Sequence, residues 1–281
     1  MTLNYINWNV DPEIINIFGI SVRYYGLLFV TGLILCLYLL RWIFRKENIP
    51  QELLERLAIY GTIGIFVGAR LGHCLFYEPS YYFAHPLEII LPIQPLPGGG
   101  YKFSGYQGLA SHGGVLGLLI GLYFYSRKSK RSMIDTIDQI AVVSGLSFGF
   151  IRLGNFMNSE IIGIPTRKSW GVIFERVDNI PRHPAQLYEA IAYFIIFAIM
   201  MILYKKMRDR LKNGVFFGLG TVLFFTARFI IEFVKENQVG FEDGMKFNMG
   251  QLLSLPYIAV GIGFIIYGLM KTRKLLTPEK Q

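Results

Sequence analysis

Polar and charged side chains cluster at one point of an otherwise apolar stretch, between residues 152 and 163. Arg152, Asn155, Asn158 and Glu160 follow directly on the apolar run 140–151, and Gly163 closes the stretch. Arginine and asparagine donate hydrogen bonds, glutamate accepts them, and glycine lets a backbone or a ligand approach closely. Such groups are costly to desolvate, so we expect them to form a binding or catalytic site. The alternative is a helix end at which Arg152 and Glu160 pair only with neighbouring residues.

The elements that must position this cluster are long apolar segments. Of the 281 residues, 53% are hydrophobic and 17% are charged, and the mean hydropathy is +0.41. A membrane-crossing helix needs about 20 mostly apolar residues. The sequence therefore predicts an all-α polytopic membrane protein with about seven transmembrane helices, at 21–44, 57–77, 109–126, 134–152, 185–204, 214–235 and 250–270.

Basic residues are unevenly distributed between the loops that connect these segments. Of the 28 lysines and arginines, 17 lie near 41–56, 127–131, 205–212 and 271–280. Because cytoplasmic loops are enriched in basic residues, we expect the N-terminus outside and the C-terminus in the cytoplasm. This topology accounts for the net charge of +9, so no nucleic-acid partner is expected.

Two segments between the apolar runs are expected on the outer side. Residues 78–108 contain five prolines and a run of three glycines, which predicts an extended or looped arm. Residues 164–182 include the strand-like run 170–174, which predicts a small external head. Neither segment is large enough to be an independent domain, so residues 1–281 are expected to form a single integral membrane domain.

The predicted topology brings polar residues from six apolar segments to the same depth, near the outer leaflet. Structural ion pairs would be scattered over both leaflets, so this convergence predicts one active site. The residues concerned are Tyr24, Tyr25, Arg70, His73, His112, Arg152 to Glu160, His183, Gln186, Glu189, Arg228 and Glu232.

The composition of this cluster favours an anionic ligand. Arginine presents a planar fork that suits phosphate, and it stays charged when poorly solvated, so an anionic phospholipid is the expected ligand class. His112 is the candidate general base, because imidazole titrates near neutrality and the glycines after it leave room for a substrate. The alternatives are a capping role for His112 and structural ion pairs for Arg70 and Arg228, the latter with Glu232. The sequence has no metal-type spacing of ligands and no phosphate-loop or serine-hydrolase motif, so no metal site is expected.

The stretch Arg152-x-Gly-Asn155-Phe156-x-Asn158-x-Glu160-x-x-Gly163 closely resembles the signature of the bacterial prolipoprotein diacylglyceryl transferase family. Five further stretches match that family in its own order over almost the whole chain, with the arm at 78–108 left unmatched. They are Arg23-Tyr24-Tyr25-Gly26, Gly68-Ala69-Arg70-Leu71-Gly72, Ser111-His112-Gly113-Gly114, Arg182-His183-Pro184-x-Gln186-Leu187-Tyr188-Glu189 and Arg228-x-x-x-Glu232-Phe233. Two positions depart from the family pattern, which usually has glycine at Ile151 and often tyrosine at Phe224.

The resemblance implies a reaction, its substrates and a location. Members of the family move the diacylglyceryl group of phosphatidylglycerol onto the lipobox cysteine thiol of a preprolipoprotein, forming a thioether without a metal or nucleotide cofactor. The implied partners are phosphatidylglycerol, the signal peptide of the preprolipoprotein and the lipids of the bacterial cytoplasmic (inner) membrane. The implied catalytic residues are His112, Arg152 and Arg228, and the implied substrate-binding residues are Tyr25, Arg70, Asn155, Asn158, Glu160, Gly163 and Glu232.

Two other classes of membrane protein have to be weighed against this one. A lipid or anion transporter could also carry an arginine-lined site, but the sequence shows no internal repeat and its polar residues favour one leaflet over the midplane. A non-catalytic membrane scaffold would give the polar cluster no purpose. The transferase is therefore the preferred interpretation.

Overall fold

The chain is described by a computed structural model that covers residues 5–17, 20–96, 99–103, 108–211, 213–237, 240–242 and 244–276. Each of the seven apolar segments predicted from the sequence overlaps one long helix. These helices are α1 (Tyr24–Lys46), α2 (Gln51–Phe76), α5 (Ser111–Ser129), α6 (Met133–Met157), α7 (Ala185–Met207), α8 (Val215–Ile231) and α9 (Met249–Leu276), and two short ones, α3 (Pro79–Ala84) and α4 (Leu87–Ile90), lie between α2 and α5.

Within the part of the chain that the structure describes, six helical segments are long and apolar enough to cross a membrane: α1, α2, α6, α7, α9 and α8 continued to Val234. The all-α polytopic class is thereby confirmed. Helix α5 occupies the predicted span 109–126 but is not among these six, so the count of seven transmembrane helices stays a prediction.

The chain divides into two compact units, one formed by Met1–Trp42 with Ile137–Gln281 and the other by Ile43–Thr136. In the second unit, α2 and α5 pack backbone to backbone through glycines. A side chain at Gly68 would lie 2.3 Å from the Gly113 carbonyl oxygen, and one at Gly64 would lie 2.4 Å from that of Gly117. Small residues at a four-residue spacing permit this approach, which is how many membrane helices associate.

The arm of the second unit is more regular than the sequence suggested. Instead of an extended or looped segment, the described residues 79–96 and 99–103 contain α3, α4 and two antiparallel strands, β4 (Ile93–Pro95) and β5 (Tyr101–Phe103). Its prolines are compatible with this structure, because Pro79 occupies the first turn of α3 and Pro86 precedes α4, where no helical amide donor is lost.

The head of the first unit is a three-stranded sheet, which confirms the strand predicted within residues 170–174. Strand β1 (Ile6–Trp8) pairs in parallel with β6 (Val172–Phe174), which pairs antiparallel with β7 (Pro181–Arg182); β2 (Glu13–Ile17) and β3 (Ile20–Arg23) form a separate hairpin. Phe156 at the end of α6 packs against Phe174 and Trp8, so the sheet is fixed to the end of that helix.

A buried carboxylate on α6 fixes the start of α8. Asp138 accepts hydrogen bonds from the backbone amides of Gly214 and Phe217, both at 2.7 Å, and the Arg208 guanidinium lies 3.8 Å away. The first amides of a helix have no partner within the helix, and an anion there also interacts favourably with the helix dipole. Asp138 therefore sets the position of the helix that carries Arg228 at its other end.

Candidate active site

The polar stretch predicted from the sequence covers the last turns of α6, which carry Arg152 and Asn155, and a tight loop that follows them. Ser159 and Ile161 have φ angles of 55° and 59°, in the left-handed region that residues other than glycine rarely adopt, and Ile161 is β-branched. The backbone amide of Glu160 between them donates to the Asn155 carbonyl oxygen at 3.1 Å. Two strained residues on either side of one glutamate are typical of a functional loop, where surrounding contacts hold an unfavourable backbone conformation.

A line of hydrogen bonds joins the loop to Arg152. The Arg152 guanidinium donates to the Asn155 side-chain oxygen at 3.1 Å, and the Asn155 amide donates to the Glu160 carboxylate at 2.7 Å. Asn158 donates to the same carboxylate oxygen at 3.3 Å. Because Asn155 is buried and Glu160 is exposed, this line presents a fixed carboxylate at the surface and an arginine behind it.

Helix α7 supplies the second partner of Arg152. The Arg152 Nε atom lies 2.8 Å from the carboxylate of Glu189, which is completely buried, and Tyr193 is near enough to interact electrostatically with the guanidinium. The Gln186 side-chain amide, one helical turn before Glu189, donates to the Glu160 carbonyl oxygen at 2.7 Å. The first turns of α7 therefore hold both ends of the polar stretch.

The second arginine, Arg228, lies at the end of α8 and is about one third exposed. Its Nε atom is 4.0 Å from Glu232, so the ion pair considered in the sequence analysis is present, but that nitrogen donates no hydrogen bond to any residue the structure describes. Glu232 accepts a hydrogen bond from the buried Lys235 ammonium at 3.1 Å. The Arg228 guanidinium thus keeps donor capacity for a ligand.

Gly163 has a packing role in the structure. A side chain there would lie 2.5 Å from the His183 carbonyl oxygen and 2.6 Å from that of Val234. The Gly163 amide donates to His183, and the neighbouring Ile164 amide donates to Val234. This close approach ties the loop after α6 to the segments that carry His183 and Lys235, so the substrate-binding role of Gly163 stays a prediction.

Tyr25 and His183 lie in the same compact unit as Arg152, next to the loop after α6. Gly154 leaves room for Tyr25, whose ring carbon would lie 2.8 Å from a side chain added at Gly154. His183 contacts the Tyr188 hydroxyl at 3.1 Å. Burial and the positive charge of Lys168 lower the pKa of His183 below its ordinary value, so this imidazole is neutral at pH 7. The contact with Tyr188 fixes His183 to the first turns of α7.

Arg70 and His112 belong to the second unit. The Arg70 guanidinium is buried and is occupied by the arm: it donates to the backbone oxygens of Glu88, Ile89 and Gly108 and to the Tyr82 hydroxyl. His112 is exposed in the first turn of α5. These contacts fix the arm to α2, and the role of Arg70 in substrate binding stays a prediction, as does the role of His112.

Two residues of this arrangement are absent from the cluster predicted from the sequence: Tyr193 and Lys235. Glu189 belongs to that cluster, but the sequence assigns it no particular role. The signal for Lys235 was its spacing from Glu232, since residues three apart share a helix face. Tyr193 has no sequence signal, because an aromatic residue in an apolar segment is ordinarily part of the core.

The arrangement suits stabilisation of a phosphate by fixed cations. Buried carboxylates hold both arginines in place. Their positive charges are therefore already positioned, and no solvent has to reorganise during the reaction. Among the residues that the structure describes, no group of His, Cys, Asp and Glu could hold a metal ion. The chemistry these residues can perform is therefore hydrogen bonding, electrostatic stabilisation and proton transfer.

Comparisons with known proteins point to one family. The family model described as prolipoprotein diacylglyceryl transferase matches residues 12–267. A phosphatidylglycerol–prolipoprotein diacylglyceryl transferase of Bacteroides fragilis is 55% identical over 270 residues, which are 96% of this chain and 98% of the relative. Proteins with the same name are 44% identical in Tolumonas auensis, over 91% of this chain and 94% of the relative, and 40% identical in Porphyromonas gingivalis, over 93% and 94%.

Proposed function

This chain belongs to the prolipoprotein diacylglyceryl transferase family, and we propose that it transfers the diacylglyceryl group of phosphatidylglycerol to the lipobox cysteine of preprolipoproteins. The cysteine thiol loses its proton, and the thiolate attacks the glycerol carbon that carries the phosphate. A carbon–sulfur bond forms while the carbon–oxygen bond breaks. The electron pair of the broken bond leaves on oxygen, which gives glycerol phosphate and a peptide thioether.

The observation that carries this proposal is the pair of arginines on one carboxylate network. During the reaction the charge of the thiolate moves to the phosphate, because a phosphodiester with one negative charge becomes a monoester with about two at neutral pH. Fixed cations beside that phosphate stabilise the transition state more than the bound substrate. Arg152 and Arg228 are the cations we assign to this role, and Glu232 holds Arg228.

The remaining loop residues are assigned to the headgroup. Glu160 is exposed, and Asn155 and Asn158 fix its carboxylate, so it can accept a hydrogen bond from a glycerol hydroxyl of phosphatidylglycerol. The Asn158 side-chain oxygen is buried and accepts no hydrogen bond from the described residues. Tyr25, packed on Gly154 beside this loop, is assigned to the same headgroup by proximity.

Deprotonation of the thiol has two explanations. His112 is the proposed base, because it is an exposed imidazole in the first turn of α5, and a positioned imidazole is the most frequent general base in enzymes. The alternative is that the positive field of the arginines lowers the pKa of the substrate thiol, which is about 8.5 when free. The pH dependence described in the Discussion distinguishes the two.

The protein is a multi-pass membrane protein, and we propose that it acts in the bacterial cytoplasmic membrane as a single membrane domain with its C-terminus in the cytoplasm. The distribution of basic residues supports this orientation. The site would then face the outer side, where the signal peptide of a preprolipoprotein presents its cysteine. A C-terminal reporter that is active only outside the cytoplasm would overturn the orientation.

The proposed reaction is tested with the purified protein, phosphatidylglycerol and a synthetic lipobox peptide. We expect the peptide to gain the mass of one diacylglyceryl unit, and a peptide with serine in place of the cysteine to gain nothing. Replacement of phosphatidylglycerol by phosphatidylcholine is expected to abolish the mass gain. Equal labelling of the serine peptide would contradict thiol transfer.

A further inference from the structure

A chain of five alternating charges connects the two arginines. Arg152 lies 2.8 Å from Glu189, Glu189 lies 3.9 Å from Lys235, Lys235 lies 3.1 Å from Glu232, and Glu232 lies 4.0 Å from Arg228. Three elements contribute besides α6, which carries Arg152. Helix α7 carries Glu189, the last turn of α8 carries Arg228, and the short 3₁₀ helix Glu232–Val234 leads to Lys235. The three cations and two anions of this chain leave one net positive charge.

The three residues in the middle of this series of charges are its most buried part. Glu189 is 0% exposed, and the side chains of Lys235 and Glu232 are 4% and 5% exposed, whereas Arg228 reaches the surface. Burying three charges carries a desolvation cost that well-packed apolar side chains would avoid, so stability is a weak explanation for the arrangement. A role in placing the terminal charges explains it better.

We propose that Lys235 is a positioning residue that keeps both arginines available to the substrate phosphate. Lys235 attracts the two glutamates, so each carboxylate is shared between an arginine and the lysine. Without this ammonium the four remaining charged residues have no net charge, and each glutamate neutralises one arginine alone. Both arginines would then bind an anionic phosphate more weakly. This proposal rests on the proposed function, in which the phosphate of phosphatidylglycerol lies at Arg152 and Arg228.

A substitution at a glycine of α9 can displace the Glu232 carboxylate without changing the charge of any residue. A side chain at Gly250 would lie 2.5 Å from the Glu232 carboxylate carbon and 2.6 and 2.8 Å from its two oxygens. The carboxylate is the mobile end of the side chain, so Gly250→Ala displaces it and leaves the helix intact. Gly263 is a matched control on the same helix, because a side chain there meets nothing within 4 Å.

The experiment measures kcat and the KM values for phosphatidylglycerol and peptide, together with the thermal unfolding midpoint. We expect Gly250→Ala to lower kcat about tenfold and to raise the KM for phosphatidylglycerol, with an unchanged KM for the peptide and an unchanged midpoint. We expect Lys235→Met to lower kcat by about 10²-fold, as for loss of one partner of a buried charge pair, and Lys235→Arg to restore most of it. Gly263→Ala should behave like the unmodified protein.

A purely structural role of Lys235 would reduce the folded fraction and leave both KM values unchanged. The proposal is overturned if Gly250→Ala and Lys235→Met keep the KM for phosphatidylglycerol and a kcat within about twofold of the unmodified protein. If the unmodified protein transfers nothing, the proposed function fails, and binding of phosphatidylglycerol vesicles then decides the positioning role. Weaker binding by Gly250→Ala than by Gly263→Ala supports it, and equal or absent binding overturns it.

Discussion

Replacing Arg152 by lysine separates a specific guanidinium role from simple charge. The guanidinium contacts Glu189 through Nε at 2.8 Å and Asn155 through Nη1 at 3.1 Å, from two different edges of one planar group. A lysine ammonium is a single point charge and cannot keep both contacts while also presenting a fork to phosphate. We therefore expect Arg152→Lys to reduce the transferase rate nearly as much as Arg152→Ala.

The magnitude follows from the contacts that are lost. A hydrogen bond that involves a charged group contributes about 1.5–3 kcal/mol. The lysine variant loses one of the two protein contacts and the forked contact with phosphate, which together amount to about 3–6 kcal/mol, or a rate loss of roughly 10²–10⁴-fold. Alanine also leaves the buried Glu189 without its arginine, at a cost of about 3–5 kcal/mol in stability. The two variants should therefore differ in unfolding more than in rate.

The assay is the transferase rate on one lipobox peptide at matched membrane abundance, with thermal unfolding of the purified variants alongside. Arg176→Lys is the control, because Arg176 is exposed and its ion pair with Asp11 spans 3.7 Å. If Arg152→Lys keeps more than about a tenth of the rate, the loss is under 1.4 kcal/mol and the reasoning is refuted. Arg152 would then be only the counter-charge of Glu189.

Three further predictions concern other parts of the molecule. His112→Gln should lower the rate by about 10²–10⁴-fold near neutral pH, with partial recovery at higher pH as the substrate thiol ionises. The control His183→Gln should show no such recovery. A His112→Gln rate within a few-fold of the unmodified protein would exclude His112 as the base. Ser159→Gly should raise the free energy of unfolding by about 1 kcal/mol, since it relieves a left-handed φ and removes a buried hydroxyl that has no partner among the described residues. The control Ser144→Gly, in the middle of α6, should lower it. Equal effects of the two substitutions would show that the loop is not strained. Asp138→Ala should lower the free energy of unfolding by about 2–4 kcal/mol, because the two amides at the start of α8 lose their acceptor. An unchanged thermal unfolding midpoint would contradict a role of Asp138 in fixing that helix.

Hydropathy and basic-residue patterns were sufficient to predict the helices, because a membrane-crossing helix leaves a long apolar segment in the sequence. The polar stretch from Arg152 to Glu160 was also predictable, since charged residues at the end of such a segment stand out. The short helices of the arm were not predicted, because proline at the start of a helix and proline in a loop look alike in a sequence.

The partners of the site residues could not be predicted to the same extent. Burial of Lys235 between two glutamates depends on which helices pack together, and a single sequence does not contain that information. For the same reason the hydrogen bonds from Arg70 to backbone oxygens of the arm could not be predicted from the sequence. The residue types of the candidate site could be read from the sequence, but the contacts between those residues required the fold.

The central claim is tested most directly by measuring both products of one reaction. The purified protein is incubated with phosphatidylglycerol and a lipobox peptide, and the peptide thioether and the released glycerol phosphate are quantified together. A displacement by sulfur predicts that the two products appear in equal amounts, and that glycerol phosphate is not released when the peptide cysteine is blocked. Release of glycerol phosphate from the blocked peptide mixture, or a thioether formed without it, would contradict the account.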